Sequence, residues 1–323
     1  MPGQVSYQEM EPVTRVVTIG TFDGVHLGHV KLIASTRDRA IDLGARSTIV
    51  TFEPVPASVL HPDKFSGRIC TAGRKLTLLE ALDTDEIVVI EFDRVLASRS
   101  PEDFLSELKD RTGLIELWVG EGFALGRDRV GDVTRISEIG ESLGFRTVAM
   151  PRVVDGGEII SSSSIRRAIE AGNVGFACES LGRPFSVSGE VIHGAHLGRE
   201  IGFPTANFFP PEGLVQLGDG IFVSLVILAG ESEARPAMTY VGTRPTINSG
   251  VRQIETHLLD FDGDLYGQHI EVAMLEKIRD DQQFPNLDAM IEQLAIDEAR
   301  SRAILADTSE VAGFPLKKDL LLN

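Results

Sequence analysis

The sequence predicts an α/β domain built on a parallel sheet, followed by an antiparallel β-barrel with a helix behind it. Three observations carry that expectation. Through the first half, short apolar runs alternate with helical patterns, as strands joined by crossover helices do. Beyond Pro184 the pattern becomes long alternating segments separated by glycine-rich turns, as in an antiparallel barrel. A chain of 323 residues also exceeds what one core usually serves, so two domains are expected, divided as 1–183 and 184–323.

In the first half, residues 16–20, 47–52, 87–92, 117–120 and 145–150 are the buried-strand candidates. Residues 30–43 and 75–82 carry apolar side chains at helical spacing, and Gly44 stops the first of these helices. Serine hydroxyls at 161–164 cap a run over 165–171 that ends at Gly172, and a second short helix ends at Leu181 and Gly182. The barrel strands are expected over 185–193, 221–228, 237–241, 254–261 and 270–275. Leu287, Met290, Ile291, Leu294 and Ala295 then repeat at helical spacing, with Asn286 as the cap and an end near Leu305.

The charge balance narrows the function. With 31 basic against 48 acidic side chains the chain carries −17, which repels a polyanion, so no nucleic-acid partner is expected. ATP remains compatible, because backbone N–H groups and a few placed cations hold a small anion without a basic surface. Cys70 and Cys178 stand alone with no CxxC, which suits a reducing compartment. The polar opening residues and the lack of a long apolar stretch point to a cytoplasmic protein with no membrane partner. Nothing in the sequence sets an oligomeric state.

Two constellations carry chemistry. Gly20-Thr21-Phe22-Asp23-Gly24-Val25-His26-Leu27-Gly28-His29 follows a strand and opens a helix, where N–H groups and the helix dipole can hold phosphate. His26 and His29, three apart, can donate to phosphate oxygens as charge redistributes. The same spacing also suits histidines that merely cap or pack around a helix start. Ser162, Ser163 and Arg166 offer hydroxyls and a cation at a second helix start, or else an ordinary cap with a solvated arginine.

In the second half, Gly194, Gly198 and Gly202 let backbone amides approach phosphate, while Thr205 and Asn207 offer oxygens suited to Mg²⁺. No GxxxxGK[ST] occurs there. A plain hairpin connection with turn-capping side chains is the alternative. Glu255 and His257 share one face of a strand, and a carboxylate so placed can accept the proton of an attacking hydroxyl. Read alone it is more simply a solvated strand glutamate, as most glutamates are, and His257 reads as structural.

The GTFDGVHLGH segment resembles the first motif of the HxGH nucleotidyltransferases, a Rossmann-like fold. GREIGFPTAN resembles the hallmark of the riboflavin kinases, and Val241 to Thr246, Glu255 to Phe261 and Asp264 to Gly267 continue that pattern. Across nearly the whole chain the likeness is to the bacterial bifunctional riboflavin kinase/FAD synthetase (FMN adenylyltransferase) family. That resemblance implies riboflavin, FMN, ATP and FAD as substrates and products, with Mg²⁺ as cofactor and Glu255 as the kinase base. It implies that Gly20, Thr21, Phe22, Asp23 and Gly28 bind ATP or its phosphates with Ser162, Ser163 and Arg166, as Gly194, Gly198 and Gly202 do in the kinase, and that His26 and His29 are catalytic, stabilising the transition state of adenylyl transfer. It places Arg279 and Phe284 at the flavin. Val55, Gly122 and Ile159 depart from it, standing where the family usually has His, Asn or Asp, and a basic residue. The alternative implied is a riboflavin kinase whose N-terminal domain is catalytically impaired and acts as a scaffold or binding module.

Overall fold

A computed structural model describes residues 3–194, 197–231, 233–243 and 252–307. The chain separates into two compact units, one running to Ser162 and the other beginning at Ser163. The family-like residues Arg244, Pro245 and Thr246, and the tail beyond Asp307, lie outside the described residues.

The first unit is a parallel sheet of six strands: β1 (Gly3–Val5), β2 (Arg15–Ile19), β3 (Arg46–Glu53), β4 (Glu86–Glu91), β5 (Leu114–Gly120) and β6 (Arg146–Met150). Their order is β1-β4-β3-β2-β5-β6, and every neighbouring pair is parallel. Four principal helices flank it: α1 (Leu27–Leu43), α2 (Ala72–Glu80), α3 (Pro101–Thr112) and α4 (Val133–Leu143). On one face Val30 and Ile33 of α1 and Leu78 and Leu79 of α2 bury against Ile49 and Ile87. On the other, Phe104, Leu105 and Leu108 of α3 and Ile136 and Ile139 of α4 bury against Val17, Val50, Val88 and Leu117. Each such side chain contributes about 1.5–3 kcal/mol when fully buried, which is why the strands read as continuous apolar runs.

Strand order reverses between β2 and β5. The chain winds outward from β2 through β3 to β4, then returns to lay β5 and β6 on the other side. A crevice therefore opens outside the carboxyl ends of β2 and β5, where open α/β sheets bind ligands.

In the second unit, α5 (Ser162–Glu170) and α6 (Val174–Leu181) precede the barrel, with Asn173 Oδ1 capping α6 at 3.1 Å and Gly182 ending it at φ 67°. The expected division at 183/184 falls after these helices. The barrel consists of β7 (Phe185–Glu190), β8 (Ala206–Phe208), β9 (Gly220–Leu228), β10 (Arg235–Thr243), β11 (Arg252–Leu258) and β12 (His269–Arg279). Its order is β7-β12-β9-β10-β11-β8, all antiparallel. Beyond β7, a single bridge between Ile192 and Asn207 joins the two edges, with the Ile192 N–H donating to the Asn207 carbonyl at 2.8 Å. That bridge closes the sheet on itself. Leu294, Ile304 and Leu305 of α7 (Leu287–Asp307) pack on Ile221, Val223, Met238 and Ile278, and Asn286 Oδ1 accepts from Ala289 N at 2.9 Å as the expected cap.

Candidate active sites

In the α/β unit the first motif is a turn of unusual backbone. Phe22, Gly24 and Val25 all take the left-handed conformation, at φ 47°, 78° and 41°. A β-branched residue there is strained, so the surrounding structure must impose it. Asp23 does part of this: fully buried, its carboxylate accepts the Ile69 N–H at 3.0 and 3.2 Å. The Ser162 hydroxyl donates to the Asp23 carbonyl at 3.0 Å. The Phe22 ring is buried beside Gly20, so Phe22 and Asp23 present backbone, not side chains, to the crevice.

His26 is the N-cap of α1, its Nδ1 accepting from the His29 N–H at 3.3 Å. A neutral His26 ring so engaged carries its proton on Nε2. The two imidazoles stack with centroids 3.5 Å apart, and the Phe22 ring meets His29 edge-on at 5.1 Å. A Cβ on Gly28 would stand 3.1 Å from the His26 ring, so the absence of a side chain lets that ring lie across the helix start. Capping and ring stacking thus coexist in one pair of histidines. Ser163, exposed, and Arg166, half-buried, sit in the first turn of α5, in the other unit.

Sequence reasoning missed the support behind this turn. Lys75 of α2 is wholly buried, its ammonium 2.7 Å from Glu53 and donating to the Phe52 carbonyl at 2.9 Å, Thr51 Oγ1 at 3.3 Å and the Thr21 carbonyl at 3.4 Å. Arg68 meets the same carboxylate at 2.6 Å. Burial pushes the Lys75 ammonium down, against the pull of Glu53. Burial works against the Glu53 charge too, but hydrogen bonds from Arg68 and Lys75 outweigh it and hold that carboxyl below its ordinary value. The one available signal was a lysine inside the apolar stripe of an amphipathic helix, between Cys70 and Leu78.

The barrel site is organised by register. Asn207 of β8 stands opposite Glu255 of β11, and Glu255 stands opposite Tyr240 of β10. Opposed residues of antiparallel strands share a face, so these three form one row. The Asn207 amide donates to the Thr205 carbonyl and hydroxyl at 3.0 and 3.1 Å, and its oxygen accepts from buried Gln253 at 3.1 Å. Gly198 supports the loop before them: the Phe203 N–H bonds its carbonyl at 2.8 Å, and a Cβ there would run into the Phe203 oxygen. His257 bonds the Pro204 carbonyl through Nδ1 at 2.7 Å, a structural contact.

These residues surround one cavity of about 840 Å³, whose lining includes Gly194, Gly198, Thr205, Asn207, Tyr240, Glu255, Arg279 and Phe284. Gly202, at φ 88° in the preceding turn, is not among the lining residues. The Arg279 guanidinium lies 5.6 Å from the centre of the Phe284 ring and pairs with Asp297 of α7 at 2.8 Å. Asp297 is only 1% exposed, so the helix behind the barrel fixes the cation that faces the cavity. Asp297, Gln253 and Tyr240 were not anticipated, although an acid on the apolar side of α7, in line with Leu294 and Ser301, calls for a cationic partner.

The fold and the two sites define a nucleotidyltransferase-type α/β unit joined to a flavokinase-type barrel. A family model described as FAD synthetase matches residues 8–164, and one described as riboflavin kinase matches residues 181–305. The bifunctional riboflavin kinase/FMN adenylyltransferase of Escherichia coli K12 is 37% identical over 288 residues, covering 89% of this chain and 91% of that protein. The Pseudomonas fluorescens protein of the same name is 36% identical over 296 residues, covering 91% and 94%. A crystal structure titled as a macrolide-efflux protein from Streptococcus pneumoniae superposes with a TM-score of 0.82 at 28% identity, covering 93% of this chain and 98% of that one. The chain belongs to the bifunctional riboflavin kinase/FMN adenylyltransferase family. Among the described residues, no helix is long and apolar enough to cross a membrane.

Proposed function

We propose that the chain makes FMN and then FAD: it phosphorylates riboflavin with ATP in the barrel and adenylylates FMN with a second ATP in the α/β unit, as a cytoplasmic enzyme. The observation that carries the first step is the pairing of Asn207 with Glu255 on the wall of a cavity that also holds Thr205, Arg279 and Phe284. Glu255 accepts the proton of the ribityl 5′-hydroxyl as that oxygen bonds to the γ-phosphorus of ATP and the bond to the bridging oxygen breaks, releasing ADP. Phe284 and Arg279 offer an aromatic and a cationic surface to the flavin.

The donor set fits Mg²⁺ that arrives on phosphate. Thr205 and Asn207 supply neutral oxygens, and no group of three or more His, Cys, Asp or Glu side chains among the described residues could hold an ion unaided. When bound, Mg²⁺ neutralises phosphate charge, and Thr205 Oγ1 and Asn207 Oδ1 are the residues that would hold it.

In the α/β unit, a phosphate oxygen of FMN bonds to the α-phosphorus of ATP as pyrophosphate leaves. His26 and His29 donate to the phosphate oxygens, while the turn through Gly20, Thr21, Phe22 and Asp23 offers backbone N–H groups, with the Ser162 hydroxyl held against the Asp23 carbonyl. A second reading, a binding domain without transfer, draws on Val55, which is 3% exposed and so leaves no polar group at the family's histidine position.

Chromatography of riboflavin incubated with ATP and Mg²⁺ separates the two: FMN followed by FAD is expected, and FMN alone would remove adenylyl transfer. His29→Ala is expected to slow FAD formation about 100-fold without altering riboflavin phosphorylation. Equal FAD rates would remove His29 from its role.

A further inference from the structure

We propose that Arg152 is a phosphate-binding cation of the α/β crevice, standing where Gly122 and Ile159 supply no polar side chain. The proposal rests on adenylyl transfer being this unit's reaction. Its ligand is a phosphate group, of FMN or of ATP.

Gly122 lies just past the carboxyl end of β5, on the far lip of the crevice from the Gly20 turn. A Cβ on Gly122 would lie 2.9 Å from Arg152 Nη2 and 3.6 Å from its Cζ and Nε. The guanidinium therefore occupies space that a side chain at 122 would need. The same arginine also serves the second gap. Val154 pairs with Ile159 in a short antiparallel ribbon, and the Ile160 N–H donates to the Val153 carbonyl at 3.0 Å. Arg152 immediately precedes Val153 and so stands at the open end of this ribbon, two residues before the partner of Ile159.

The position is at the site. Glu121 N–H donates to the Met150 carbonyl at 2.9 Å, continuing the β5–β6 pairing to the lip, and a Cβ on Gly28 would stand 3.9 Å from a Val153 methyl. Arg152 is half exposed and meets Glu121 through Nε at 3.2 Å. An exposed ion pair of this kind is ordinarily worth little. What distinguishes Arg152 is that its guanidinium tip, with its fork of donors, is aimed at the place left open by Gly122. Arg129 donates to the Gly122 carbonyl at 3.4 Å, adding a second cation at the same turn.

The test is steady-state FAD formation from FMN and ATP by the full chain. Arg152→Ala is expected to raise KM roughly five- to fiftyfold, the loss of a charged hydrogen bond, with kcat within about threefold and riboflavin phosphorylation unchanged. A rise confined to FMN assigns the flavin phosphate; one confined to ATP assigns the nucleotide. Arg152→Lys should give an intermediate KM, since it keeps the charge and loses the fork. Adding Ile159→Arg to Arg152→Ala should bring KM back toward the wild-type value, a rescue that a merely structural arginine would not show. Unchanged KM for both substrates in Arg152→Ala overturns the inference while leaving adenylyl transfer standing. Wild-type protein that makes no FAD overturns adenylyl transfer itself, and the inference with it.

Discussion

The two sites are held in different ways. In the barrel, the row of Tyr240, Glu255 and Asn207 follows from strand register, because residues facing one another across antiparallel strands must share a face. In the α/β unit, the histidine turn depends on three consecutive-region residues at positive φ, pinned by Asp23 and backed by the buried Lys75 cluster. Regular hydrogen bonding positions the first site, and a few buried polar contacts position the second. Single substitutions should therefore separate chemistry from scaffold in the barrel and merge them at the buried contacts beneath the histidine turn.

The largest effect tests the barrel side of that contrast. Glu255→Gln keeps shape and register and is expected to lower riboflavin phosphorylation by about 10²–10⁴-fold, with FAD formation from supplied FMN unchanged. Paired assays on one preparation decide it, and kinase turnover within a few-fold of wild type would take the base role away from Glu255.

Lys75→Met tests the other side. It leaves Glu53 and the Thr21 and Phe52 carbonyls without their shared donor, at an expected cost of about 3 kcal/mol to the α/β unit. FAD formation and the stability of this unit should fall together, while riboflavin phosphorylation persists. Denaturant titration followed by Trp118 fluorescence reports on this unit alone, because Trp118 is the chain's single tryptophan. A stable variant that has lost FAD formation would show that the lysine does chemistry as well as support.

A smaller difference should appear in acid. In the α/β unit, burial acts against the Glu53 and Glu86 charges, but Arg68 and Lys75 at Glu53, and Arg15, Arg46 and Thr48 at Glu86, hold both carboxyls below the ordinary value of 4.5. A carboxyl lowered on folding stabilises the fold above its unfolded value, and that contribution is lost as pH falls through the folded one. In the second unit the lowered carboxyls of Asp260 and Asp280 are 74% and 91% exposed and contribute little. Below pH 4.5, Trp118 fluorescence should therefore change before riboflavin phosphorylation, assayed after return to neutral pH, is lost. The reverse order would break the comparison.

What was legible in the sequence follows the same division. Central strands were evident because burial on both faces makes them apolar runs, and β2 to β6 fall close to the expected segments. The edge strand β1 was missed: Gly3–Val5 pairs through its backbone and carries no apolar run. Strand β8 was missed because only Ala206–Phe208 pair, after a loop rich in glycine and proline. Helix α3 was passed over although its signals were present, with Ser100 as cap, Pro101 in the first turn and Gly113 at the end. Glu255 stood out because a strand's period of two fixes which face it shares. Lys75 did not, since its partners lie 22 to 54 residues away and only the folded sheet brings them together. Asp297 was hidden in the same way, as its meaning depends on Arg279 across the packed helix.

The Ile192–Asn207 bridge has a kinetic consequence. Among the described residues it is a single rung where the other seams of the barrel are ladders, so it is where the closed sheet should open first in local fluctuations. Its acceptor is the backbone of the residue whose amide lines the cavity, so a ligand that immobilises Asn207 also holds the seam shut. Amide exchange at Ile192 would then slow with occupancy, making the barrel's weakest closure a reporter on its own contents.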